Sequence, residues 1–89
     1  MNKQKNDIFI EAAINKMMKI AGYSNITFKT LLDESDGWYT RYTMTEKQHN
    51  KWKEWFLLKA KKTFKWNKKL VNREFQWFDL MWGLKIKET

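Results

Sequence analysis

Apolar side chains recur at helical spacing along most of this chain. Ile10, Ala13, Met17 and Ala21, with Ile14 and Met18 beside them, fall on one face of a first helix running to about Ala21. Asn6 or Asp7 can cap its start, and Gly22 stands where a helix end takes a left-handed residue. Residues 1–6 are polar and are expected to be a flexible terminus. Beyond the Ser24–Asn25 loop, Thr27 can cap a short second helix holding Phe28, Leu31 and Leu32, with a strand at 26–29 as the alternative. Asp33, Glu34, Ser35, Asp36 and Gly37 read as a turn, and residues 38–44 as an extended, aromatic-rich connection without helical period.

The third helix has the sharpest start signal, because Thr45-Glu46-Lys47-Gln48 matches a capping box. His49, Trp52, Trp55, Phe56, Ala60 and Phe64 fall on one side of it. Lys47, Lys51, Lys61, Lys62 and Lys65 fall on the other, with Leu58 alone among them. A fourth helix starts after Asn67 and runs to about Trp82, where Gly83 can end it. Val71, Phe75, Phe78 and Trp82 form one row along it, and Leu70, Trp77 and Met81 the next. Lys65-Trp66-Asn67 is then a tight turn, and so short a connection makes the helices antiparallel neighbours. Residues whose numbers sum to roughly 133 should face each other in such a hairpin. That sets Lys59 across from Glu74, Phe56 across from Trp77 and Trp55 across from Phe78. The expected fold is therefore all-α: a small helical bundle with a long antiparallel C-terminal hairpin, and the first two helices across its aromatic face.

Composition agrees with this outline. Eighty-nine residues suit a single domain, residues 1–89, and so short a chain needs an efficient core. Six Trp, six Phe and three Tyr supply it, while the absence of Pro and the presence of only three Gly favour long helices over a turn-rich β fold. The lack of Cys removes disulfides, thiolate nucleophiles and zinc–thiolate sites. Near the N-terminus the apolar run at 8–10 is broken at once by Glu11, unlike a signal peptide. No stretch approaches the roughly 20 apolar residues of a bilayer span, so a cytoplasmic protein without a membrane partner is expected.

Charge changes the picture more. The net charge of +8 is concentrated: between Lys47 and Lys69, nine lysines stand against Glu54 alone. Such a cluster is the footprint of a protein with an anionic partner, although a lysine face can also serve solubility alone. Lys61, Lys62, Lys65, Lys68 and Lys69 surround Trp66 at the predicted tip, with Lys47 and Lys51 further along the same face. Cations for phosphates beside an aromatic plane for a base suit single-stranded nucleic acid, though Trp66 can instead fold back on the helix ends. The expected partner is nucleic acid or a nucleoprotein. Trp38, Tyr39, Arg41 and Tyr42 form a second candidate, because Trp, Tyr and Arg dominate protein–protein hot spots; the partner there would be a host protein. A helix-turn-helix around Gly22 is disfavoured, since its second helix would offer only Lys29 to the phosphates.

Nothing points to catalysis. The single His49 and Glu74 both lie in apolar stripes, but the hairpin sets them about ten residues of rise apart, roughly 15 Å. A satisfied His49 and a Glu74–Lys59 ion pair at the seam are expected instead. Asp33, Glu34 and Asp36 lack the alternating ligands of a calcium loop, so no metal and no cofactor are expected.

From Met44-Thr45-Glu46-Lys47-Gln48 through Trp52–Phe56 to Trp77-Phe78-Asp79-Leu80 and Gly83-Leu84-Lys85, the C-terminal half resembles small helical proteins of tailed bacteriophages. The resemblance implies a phage or prophage origin and an intracellular role during infection. It carries no activity and transfers no functional residue.

Overall fold

A computed structural model of the chain describes residues 5–33 and 41–87. Helix α1 spans Lys5–Ile20 and buries Phe9, Ala13, Ile14, Met17 and Met18. It begins before both expected caps: residues 5 and 6 are helical, and Asp7 lies in the first turn, where its charge suits the helix dipole. The rest of the expected flexible terminus falls outside the described residues. Gly22 ends the helix as its position predicts. Its φ is +96°, the Gly22 amide donates to the Lys19 carbonyl (3.1 Å), and the Tyr23 amide donates to the Met18 carbonyl (2.8 Å). These two bonds are the paired closure of a left-handed helix end.

Helix α2, Phe28–Asp33, is a single short helix, and the alternative strand at 26–29 does not form. Thr27 exchanges hydrogen bonds with Thr30, and Asn15 Oδ1 on α1 accepts the Phe28 amide at 2.7 Å. Six residues with Lys29 as the only cation give no recognition helix.

The hairpin follows. Helix α3 spans Glu46–Phe64 and helix α4 spans Lys68–Trp82. Both bonds of the capping box are made: Gln48 N donates to Thr45 Oγ1 at 3.1 Å and Thr45 N to Gln48 Oε1 at 2.8 Å. Asn67 caps α4 by accepting the Leu70 amide at 2.8 Å. Two short strands close the open end, β1 (Thr43–Met44) and β2 (Lys85–Ile86), which pair in parallel. The chain after Gly83 thus returns to the segment that feeds α3, with Leu84 and Met44 buried beneath the pair.

Trp52 is the centre of the core. It is fully buried, its indole Nε1 donates to the Ala13 carbonyl at 2.9 Å, and its ring meets Phe75 at 5.1 Å. Ala13 and Ala60, both fully buried, are the small residues at these joints. The hairpin has the expected axial level but not the expected rotation. Phe56 meets Phe75 at 5.1 Å and Phe78 at 5.2 Å, the residues on either side of Trp77, whereas Trp77 itself points outward. Trp55 turns away from Phe78 and stacks on Phe9 of α1 at 6.0 Å. Lys59 and Glu74 face different clefts and form no ion pair. The cause is where α1 packs. It lies against α3, so Phe9 draws Trp55 to that side, and the row Trp77–Met81 on α4 is left uncovered together with Leu80.

Candidate nucleic-acid interface

The lysines that the sequence singles out are all exposed: Lys47, Lys51, Lys61, Lys62, Lys65, Lys68 and Lys69. The amphipathic pattern of α3 forces this, because burying Trp52, Phe56 and Ala60 turns the opposite face to solvent. The hairpin turn gathers the tip lysines from two helices. Lys61 and Lys62 occupy the last turn of α3, where positive charge suits the helix dipole. Lys68 and Lys69 occupy the first turn of α4, where it does not, and no acidic residue shares that turn. Between them Lys65 holds the left-handed conformation (φ 60°, ψ 27°), and its amide donates to the Lys61 carbonyl at 3.0 Å. A non-glycine residue there is strained by about 1–2 kcal/mol. At Lys65, Lys68 and Lys69, though not at Lys61 and Lys62, the tip therefore places cations where helix stability does not favour them.

Two clefts open on this face. One, of about 480 Å³, is lined by Trp55, Leu58, Lys59, Lys61, Lys62 and Lys65. Among the described residues no acidic side chain lines it. The other, of about 370 Å³, lies along the α3–α4 seam and is lined by Glu54, Leu57, Leu58, Lys61, Lys68, Val71 and Asn72. Trp55 and Lys59 are the residues that sequence reasoning missed. The angle of Trp55 on α3, at the border between the apolar and basic faces, was the available signal.

Trp66 is placed otherwise than a free tip residue would be. It stacks on Phe64 with ring centroids 4.5 Å apart and planes 18° apart, and it packs against the core. The fold-back alternative describes its position, with one face of the ring committed to Phe64.

Of the aromatic connection, Trp38 and Tyr39 lie outside the described residues. Arg41 is exposed, and Tyr42 is half-buried with its ring edge-on to Tyr23 at 5.0 Å. His49 finds a partner that the hairpin register did not suggest. Its Nε2 lies 3.0 Å from Asp79 Oδ2, within ion-pair range, but the atoms are not aligned as a hydrogen bond. The imidazole also packs against Trp52 and Phe75. Among the described residues no three His, Asp or Glu side chains gather as a metal site requires, and no helix is long and apolar enough to cross a membrane. No family model, no curated protein and no solved structure matches the chain.

Proposed function

We propose that this protein is a non-enzymatic binder of single-stranded nucleic acid, or of a nucleoprotein that exposes it, acting in the cytoplasm of a bacterial host. The observation that carries the reading is the cleft on α3 where one indole, Trp55, stands among Lys59, Lys61, Lys62 and Lys65, with no carboxylate among the described residues that line it. Trp55 rests on Phe9, so one ring face is supported from below while the cleft side meets a ligand. A supported indole offers a base a rigid plane, and the lysines track the phosphates on either side. The seam lysines Lys61 and Lys68 extend the track toward Lys69, and Lys47 and Lys51 extend it along α3. Phosphates at the tip would also relieve the repulsion between the α4 dipole and its first-turn lysines. The resemblance of the C-terminal half to phage proteins fits such a role during infection.

The test is oligonucleotide anisotropy with single-stranded and duplex DNA and RNA across a salt series. Neutralising about five phosphates on a single strand gives a slope of log K against log salt near −3.5. Lys61/Lys62/Lys65→Glu should abolish binding while the chain still folds, with a Tm lowered by negative charge at the α3 C-terminus, and Trp55→Leu should weaken binding by about 1–3 kcal/mol. A flat salt dependence, or no binding at low salt, would overturn the proposal and leave the lysines as a solubility face.

A further inference from the structure

A third cleft lies on the other side of α3, between α1 and α4. It has a volume of about 320 Å³ and differs in chemistry from the two lysine clefts. Its walls include five aromatic rings, Phe9, Phe56, Phe64, Trp66 and Phe78, and among the described residues the carboxylate of Glu74 is its one charged lining group. The rings are held by one another: Phe9 meets Phe56 and Phe64 edge-on at 5.1 Å each, and Phe64 stacks on Trp66. Glu74 is half-buried, and no described side chain forms an ion pair with it.

In a chain of net charge +8 a carboxylate among rings is not explained by the anionic partner proposed above. Ring faces carry the negative lobe of the aromatic quadrupole, so a wall of rings attracts a cation at short range even where the protein's overall field repels it. The molecule shows this attraction with its own side chain: the Lys5 ammonium lies 5.8 Å from the centroid of the Phe64 ring. A mainly apolar cleft of this size with one converging charged group is also the usual form of a small-molecule site.

We infer that the cleft between α1 and α4 binds a small organic cation, an arylalkylammonium ion, with its apolar body among the rings and its ammonium group against Glu74. The two sites touch at Phe9, which lines this cleft and supports Trp55, but Glu74, which carries this inference, lines neither lysine cleft. Failure here would therefore leave the nucleic-acid reading standing, and the reverse also holds.

The experiment titrates 2-phenylethylammonium against 2-phenylethanol, which replaces the charged group with a neutral one on the same body. Amide NMR shifts of the folded chain are the readout. The expected result is saturable shifts at Ile10, Leu70 and Glu74, with the ammonium binding about tenfold tighter than the alcohol, the size of one partly desolvated cation contact. Glu74→Gln keeps shape and hydrogen bonding while removing charge, and it should erase that preference. Lys5→Ala removes a competing cation and should tighten ammonium binding. Equal binding of the two probes, a preference that survives Glu74→Gln, shifts mapping to another surface, or no shift at millimolar probe would each overturn the inference.

Discussion

Gly83 ends α4 with an ordinary extended backbone, φ −65° and ψ 145°. Any residue can adopt those angles, so conformational freedom is not why glycine stands there. Space is the reason. A Cβ at 83 would fall inside contact distance of both the carboxylate and the carbonyl oxygen of Asp79. The carbonyl accepts the Gly83 amide at 2.8 Å and cannot retreat without losing the cap; the carboxylate is turned toward His49. Gly83→Ala should therefore cost about 1–3 kcal/mol in urea denaturation, as overpacking does. Adding Asp79→Ala should recover only part of that cost, because the backbone clash remains. Full recovery in the double variant would show that the side chain alone was the obstacle. None of this was legible in the sequence, where Gly83 reads only as a helix stop: the side-chain part of the clash depends on which way Asp79 turns, and its carboxylate lies toward His49 on the facing helix.

At the scale of the element, the hairpin's helix ends were the most legible part of the chain. The Thr45–Gln48 box and the Asn67 cap act between residues three apart, so their signals survive any tertiary arrangement. The same locality leads to a prediction that joins stability to function. Lys68 and Lys69 sit against the positive end of the α4 dipole. Replacing each with Glu should raise stability by about 0.3–1 kcal/mol at low ionic strength, read as a higher Tm, while weakening oligonucleotide binding. If the Tm falls instead, the lysines hold a local contact that the dipole argument omits. Which face of each helix turns inward was legible only in part. Lysines mark the outer side of α3 clearly, and on α4 the row Val71, Phe75, Phe78 and Trp82 faces inward. On α4 the second apolar row, Trp77 and Met81, looks from the sequence as suited to burial as the first. It is exposed because the first helix covers α3 instead.

At the scale of the whole molecule, α1 and α4 both lean on α3, and the parallel pair β1–β2 ties the hairpin's open end. The Lys87 amide donating to the Met44 carbonyl at 2.8 Å extends that tie by one bond. Leu84, just past the last helix, is 4% exposed and belongs to the core. Leu84→Ala should accordingly cost about 2–5 kcal/mol in denaturant unfolding, the range for truncating a buried leucine. A loss under about 0.5 kcal/mol, the scale of ordinary surface changes, would mean that the closing strands are peripheral to stability. The same arrangement creates the candidate sites. The basic cleft needs Phe9 of α1 beneath Trp55, and the aromatic cleft needs α1 and α4 to stand apart over α3.

What the sequence determined by itself was whatever depends on near neighbours along the chain: an all-α class, the three strongest helices to within a residue or two, their caps, the left-handed Gly22, and the lysine face of α3. These follow from periodicity and capping, which are properties of a single helix in water. Tertiary structure alone decided the rotation of α4, the pairing of His49 with Asp79, the burial of Leu84 under a parallel strand pair, and the choice of Trp55 over Trp66 as the indole among the lysines. Each of those depends on which of several comparable apolar surfaces meet. With fifteen aromatic residues on a short chain, more surface is fit for burial than one core can cover, and only the packing of the helices selects among them.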